Sequence, residues 1–188
     1  MPVTSRFSLF AVAVTCAASL ASSPASAQTT PAVGVSAGFM NVAEGELAMP
    51  GFYVEGERRL TRMVSAIGQV HRATGSGEGY FSAIDWTDLF VGGGLRVSGR
   101  PAPWVEPYAQ VLVGPYTVTT VETARRTRFG VGTDDRYTDS YIATIAGGGV
   151  TLMASPRVGF RVGLDLQFFQ DTLPNARLTA GAVVRIGR

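Results

Sequence analysis

Arg157-Val-Gly-Phe-Arg-Val-Gly-Leu-Asp-Leu-Gln-Phe168 is the stretch on which the fold turns. Val158, Phe160, Val162, Leu164, Leu166 and Phe168 share one parity; Arg157, Gly159, Arg161, Gly163, Asp165 and Gln167 share the other. Successive side chains of a strand point to opposite faces, so a period of two over twelve residues reads as one strand with an apolar and a polar face. Ordinary strands run to about five or six residues, whereas about 9–11 are needed to cross a bilayer at a slant.

The same alternation recurs along the chain. Leu178, Ala180, Ala182, Val184 and Ile186 oppose Arg177, Thr179, Gly181, Val183 and Arg185. Leu89, Val91, Gly93, Leu95 and Val97 oppose Phe90, Gly92, Gly94, Arg96 and Ser98, and Val64, Ala66, Gly68 and Val70 oppose Ser65, Ile67, Gln69 and His71. The pattern predicts strands over 33–41, 50–60, 64–74, 86–98, 105–120, 138–153, 157–169 and 175–187. Pro107 and Pro115 each remove a ladder donor and mark strand ends or a bulge. Connections 61–63, 99–104 and 154–156 are short, and 42–49, 75–85 and 121–137 are long. Gln170–Pro174 is the one short connection on the long side. Long and short connections in alternation are those of a transmembrane barrel, with both termini on the short-turn, periplasmic side. The expected fold is therefore all-β: an eight-stranded antiparallel up-and-down transmembrane β-barrel.

A soluble barrel alternates too, so the side that is apolar decides the solvent. Eight strands enclose an interior just wide enough to be filled by side chains. Glu55, Glu57, Arg59, Arg96, Arg161, Asp165, Arg177 and Arg185 recur opposite the apolar stripes, mixed with glycine. Glycine has no benefit on a watery face, but in a narrow lumen it leaves room for long arginines. The arrangement that accommodates both is lipid outside and an ion-paired lumen inside. Trp86, Trp104, Tyr108, Tyr116, Tyr141 and Phe168 lie near strand ends, where interfacial girdles belong.

The first residues stand apart. Arg6 precedes an apolar run from Phe7 to Leu20, and Ala25-Ser26-Ala27 has the small-x-small form of a signal-peptidase site. Residues 1–27 are expected to be a cleaved signal peptide, with residues 28–188 as one outer-membrane barrel domain. Cys16, the one cysteine, follows Thr15 rather than Gly or Ala and reads as part of the apolar run, not as a lipid-attachment site. Beyond it no disulfide or thiolate metal site is available. All sixteen basic residues are arginine against 14 acidic ones, a balance that argues against nucleic acid as a partner. No segment past residue 27 approaches eighteen consecutive apolar residues, which excludes a helical membrane protein.

Gly51-Phe-Tyr-Val-Glu-Gly56, Leu89-Phe-Val-Gly-Gly-Gly-Leu-Arg-Val97, Val105-Glu-Pro-Tyr-Ala-Gln-Val-Leu-Val-Gly114 and the span from Ala146-Gly-Gly-Gly-Val150 to Leu178-Thr-Ala-Gly-Ala-Val-Val-Arg-Ile-Gly187 resemble the bacterial small outer-membrane β-barrel family, the OmpA/OmpX-like barrel domains. The resemblance covers nearly all of residues 28–188. It implies insertion by the barrel assembly machinery through a last-strand signal, whose frame Thr179, Gly181, Val184 and Ile186 match. The usual terminal aromatic is replaced by an ending in Arg188.

Function is less legible. The eight lumen charges line either an ion pathway or a plug of mutual salt bridges, and the small bore favours the plug. A structural or surface-interaction barrel is thus the leading expectation, with a narrow porin-like channel for ions or small solutes as the alternative. His71, the single histidine, with Ser76, Glu78, Ser82 and Asp85 following it, holds open a lipid-modifying enzyme; no spacing motif supports that reading, and the chain is read as not an enzyme. Glu122, Arg125, Arg126, Arg128, Asp134, Asp135, Arg136 and Asp139 form a charged loop that either grips the phosphates of lipopolysaccharide or is simply solvated. Lipopolysaccharide and phospholipid are the expected surroundings; no cofactor is expected, and Asp134-Asp135 is too sparse for calcium.

Overall fold

Alternation on the scale of Val158–Phe168 is met in space by a closed ladder. The computed structural model describes residues 33–44, 47–78, 82–124, 134–169 and 174–186. Eight strands follow one another: β1 (Val33–Glu44), β2 (Leu47–Arg59), β3 (Val64–Glu78), β4 (Ser82–Ser98), β5 (Val105–Ala124), β6 (Asp134–Met153), β7 (Val158–Phe168) and β8 (Asn175–Ile186). Each pairs antiparallel with the next, and β8 returns to β1, so the sheet has no side edge. The register fixes the stagger. From Val33 the partners run through Arg58, Ala66, Leu95, Val111, Ala146, Leu166 and Ala176 and come back to β1 at Ala43, ten residues further on. Such a shear tilts the strands by roughly 35–45° and keeps the bore narrow.

The faces are inside-out for a water-soluble protein. Phe39, Phe52, Leu95, Leu164, Leu178 and Ile186 stand more than half exposed on the outer wall, while Glu55, Arg96, Arg161, Asp165 and Arg177 are buried in the lumen. An apolar outer surface of this extent is far larger than the patches soluble monomers tolerate. At one end the turns are minimal. Thr61 Oγ1 accepts from the amides of Met63 and Val64, and Ser155 Oγ accepts from those of Arg157 and Val158, so two turns of the same form close β2–β3 and β6–β7. Val33 and Ile186, the described ends of the chain, lie at this end too.

The other end departs from expectation. The connections expected over 42–49, 75–85 and 121–137 are largely strand, and only 45–46, 79–81 and 125–133 separate consecutive strands there. β5 and β6 have 20 residues each; at about 3.3 Å per residue and the tilt above, each rises roughly 50 Å, about twice an apolar band of ~25 Å. Their neighbours on the far side are short: β7 begins its pairing with β6 only at Thr144↔Phe168, and β2 begins its pairing with β3 at Gly51↔Ala73. β3–β6 therefore continue as a four-stranded sheet above one side of the barrel mouth. Its two margins, β3 beyond Ala73 and β6 before Thr144, pair on one side only, with β4 and β5, and have no second strand partner among the described residues.

Three further expectations are corrected. Pro107 and Pro115 lie within β5, not at its ends, opposite Val150 and Ile142; the β4–β5 ladder is interrupted beside Pro115 instead, between the pairs Phe90↔Tyr116 and Gly93↔Val113. Tyr108 and Tyr116 do not belong to an interfacial girdle, since both point into the lumen and are buried; Trp86 also turns toward the interior, against the cluster of Met40, Val42, Met49, Tyr53 and Ala73. Trp104 and Tyr141 do stand exposed. Finally, the inward glycines make room chiefly for rings and methionines rather than for arginines. A Cβ on Gly163 would lie 2.3 Å from the Tyr108 hydroxyl, one on Gly181 2.7 Å from that of Tyr53, and one on Gly92 2.2 Å from the Phe90 ring. The signal peptide expected over residues 1–27 lies outside the described residues.

Candidate functional site in the barrel lumen

Inward parity places one polar side chain per strand at each level of a narrow bore, and desolvation then forces these groups to satisfy one another. Glu55 on β2 is the centre. Arg96 on β4 grips it with both terminal nitrogens, at 2.7 Å each. Arg161 on β7 reaches it from across the lumen, and Gln69 Nε2 and Ser36 Oγ donate at 3.2 and 3.3 Å. The same two arginines also hold Glu57 Oε2, at 2.8 and 3.1 Å.

From Glu55 the bonds run in a closed circuit. Gln69 accepts from Arg177 Nη1 at 2.7 Å, Arg177 Nη2 donates to Asp165 at 2.6 Å, and Asp165 accepts from Gln110 Nε2 at 3.1 Å. Gln110 Oε1 in turn accepts from Arg96, which returns the circuit to Glu55. With Ser36 from β1 and Thr151 from β6, which accepts from Arg161 Nε at 3.0 Å, all eight strands contribute. Three carboxylates face three guanidiniums, so the network carries no net charge. Tyr108 fills the space between, with Arg96 and Arg161 over its ring at 4.6 and 5.1 Å.

Towards the short turns a second group forms around Glu106, on which Arg59, Arg100 and Arg185 converge at 3.0, 3.1 and 2.7 Å. Towards the tall end the lining changes character. Ile67, Phe90, Leu112, Tyr116, Ala143 and Ile145 are buried against one another, with Val118 and Phe169 beside them. The two kinds of lining interleave: Ile67 pairs with Glu57, His71 joins Arg177 to the Phe90 ring, and buried Asp88 accepts from the Tyr116 hydroxyl.

Glu55, Glu57, Arg96 and Arg161 meet in one cluster, Asp165 and Arg177 join it through Gln69 and Gln110, and Arg59 and Arg185 belong to the Glu106 group. Sequence reasoning passed over Gln69, Gln110, Thr151, Ser36, Tyr108 and Glu106. Their parity was available, since Gln69 lies two residues from His71, and Glu106, Tyr108 and Gln110 alternate with outward Val105, Ala109 and Val111. On β8, Thr179 and Gly181 face inward, Thr179 donating to the carbonyl of Gly163 at 3.3 Å, while Val184 and Ile186 face out.

His71 is fully buried rather than at the rim. Its Nδ1 accepts from Arg177 Nη1 at 2.9 Å, and its ring stacks on Phe90 at 5.1 Å. Ser76, exposed, is on the opposite face of β3 and five residues on, about 16 Å along the strand. Asp85, opposite Ser76, is exposed as well, and the side chains of Glu78 and Ser82 lie outside the described residues. The described geometry does not bring this set together as a nucleophile and base. Among the described residues no group of three or more His, Cys, Asp or Glu is placed to hold a metal ion. Of the charged loop, Arg125, Arg126 and Arg128 lie outside the described residues; Asp135, Arg136 and Asp139 are exposed on β6.

With this geometry in view, solved structures share the fold. They include the attachment invasion locus protein Ail of Yersinia pestis (17% identity, 84% of this chain and 100% of that one, TM-score 0.58) and Neisserial surface protein A (14%, 82% and 96%, 0.58). A major outer membrane protein of Thermus thermophilus aligns at 9% identity over 81% and 99%, with a TM-score of 0.62. No protein-family model and no curated protein matches the sequence. The chain has the fold of the small eight-stranded outer-membrane barrels, of the OmpA/OmpX-like type.

Proposed function

We propose that this chain is a bacterial outer-membrane barrel with a closed lumen that acts through the sheet it raises above the mouth, as a surface-interaction or structural protein rather than as a pore or an enzyme. The observation that carries the reading is the joint placement of a filled bore and a tall β3–β6 sheet: the part of the molecule left available for a partner is the outside of that sheet. Thr117 and Ser140 meet across β5–β6 at 3.3 Å, and Thr119 and Thr138 at 3.4 Å, so this region is polar on the face that the apolar belt continues below. That change from aliphatic to hydroxyl-bearing residues is what the boundary between acyl chains and the outer leaflet's headgroups would require. Lipopolysaccharide is the expected neighbour at that height, and the barrel assembly machinery, reading Thr179, Gly181, Val184 and Ile186, the expected agent of insertion.

The test is topological. In intact cells, Thr119→Cys is expected to react with a membrane-impermeant maleimide and Ser155→Cys to react only after the outer membrane is permeabilised. Equal labelling of both in intact cells, or recovery of the protein in the soluble periplasmic fraction, would defeat the reading.

A further inference from the structure

Charge is unevenly distributed along the barrel axis. Arg58, Arg59, Arg62, Arg100, Arg157 and Arg185 all lie at the short-turn end. Of the carboxylates near them, Glu57 is held by Arg96 and Arg161, and Glu106 by Arg59, Arg100 and Arg185. Arg58 stands exposed on the outer wall of β2, between Val33 and Ala66 of the neighbouring strands. Arg157 is exposed in the turn before β7, and neither guanidinium has an ion-pair partner among the described residues. The far end has the opposite balance among its exposed described side chains, with Asp85, Asp135 and Asp139 against Arg72 and Arg136.

The same tier carries large apolar groups turned outward: Leu60 at 56% exposure, Trp104 at 62% and Ile186 at 59%. Backbone bonds tie these parts into one rim. The Met153 amide donates to the Trp104 carbonyl at 2.8 Å, and the Arg185 amide to the Arg157 carbonyl at 2.7 Å. Interleaved arginine and exposed apolar side chains fit a level at which hydrocarbon gives way to headgroups. A soluble anionic polymer below the membrane would have no use for Leu60 or Ile186. The planar, always-charged guanidinium suits the paired oxygens of a phosphodiester.

We infer that this arginine rim binds the phosphates of anionic phospholipids in the leaflet that surrounds the short-turn end. The inference rests on the membrane-spanning reading above. By it, Arg58 and Arg157 take headgroups directly, and the Arg59–Arg100–Arg185 group around Glu106 supplies the excess positive potential that gathers them. Each arginine near an anionic surface contributes about 1 kcal/mol, a factor of about five in local lipid occupancy.

Trp104 provides the reporter. The full chain has two tryptophans, so Trp86→Phe leaves Trp104 as the one indole. Folded into phosphatidylcholine vesicles containing a small fraction of brominated lipid, this protein is expected to be quenched several-fold more by brominated phosphatidylglycerol than by brominated phosphatidylcholine. The preference should fall to near unity in Arg58→Gln/Arg157→Gln and in 0.5 M salt. Equal quenching by the two lipids in a protein that has inserted, shown by heat-modifiable gel mobility, would overturn this inference and leave the membrane reading intact; failure to insert would overturn both. Binding to purified cell-wall sacculi that disappears in the same double variant, without a lipid preference, would overturn it in favour of the wall. If Trp86→Phe impairs folding, the wild-type protein with both indoles provides the same comparison, and the lipid preference and its salt dependence must still appear.

Discussion

At the scale of single residues the molecule depends most on Glu55. Its two oxygens accept from Arg96, Arg161, Gln69 and Ser36, all in a bore from which bulk water is displaced by side chains. A buried pair contributes modestly to net stability, because desolvation offsets much of the attraction, but removing one partner leaves the other charge buried and unpaired. Arg96 and Arg161 would both lose their main acceptor and be left to share Glu57. Glu55→Ala is therefore expected to lower the unfolding free energy by about 3–5 kcal/mol, read as a shift in the urea midpoint of protein folded into lipid vesicles. Glu55→Gln, which keeps the volume and an acceptor oxygen, should lie between it and the wild type. An unchanged midpoint in both would mean that the network fills the lumen without holding the strands.

At the scale of elements the difference between what was and was not legible follows from where each strand is placed. β7 and β8 were readable almost to the residue, because apolar and polar solvents on their two sides impose a strict period of two. The upper parts of β3, β5 and β6 were read as loops. In Val121–Thr123 and Asp135–Tyr137, which fell in the expected connection, every residue is half-exposed or exposed and most are polar, so no alternation survives, although Thr, Val and Tyr are good strand formers. Phe90 and Ile67 were placed on the polar face by parity and do face inward; what parity did not convey is that they pack with Leu112, Tyr116, Ala143 and Ile145 into an apolar cluster beside the ion pairs. The prediction at this scale concerns the margin of β6. In an antiparallel ladder the amides of one strand point alternately to its two neighbours. Over Asp135–Ile142 only β5 is a neighbour among the described residues. Hydrogen exchange on the folded protein should show every second amide of this segment exchanging rapidly and the others protected. Over Thr144–Met153, where β7 also pairs, protection should be continuous. Uniform fast exchange over 135–142 would show instead that the raised sheet does not persist.

At the scale of the whole molecule the question is what a shear of ten residues on eight strands allows through. On the proposed reading the bore is closed twice, by the ion pairs of Glu55, Arg96 and Arg161 with Tyr108 and by the packing of Phe90, Leu112, Tyr116 and Ile145. The two closures fail by different routes: ion pairs can exchange partners, whereas a packed apolar segment admits ions only if it is hollowed out. A channel gated by the ion pairs alone would still have to pass the apolar cluster. The wild-type protein is therefore expected to show no stable conductance steps in planar bilayers, and Arg161→Ala alone should not create them. Combining Arg161→Ala with Leu112→Ser and Ile145→Ser, which places hydroxyls in the apolar cluster, should open small steps if the barrel still folds, as heat-modifiable mobility would report. Stable steps in the wild type that vanish in Arg161→Ala would show that the ion-paired part of the lumen is an ion path and not a plug, and would put the narrow channel ahead of the surface-interaction barrel.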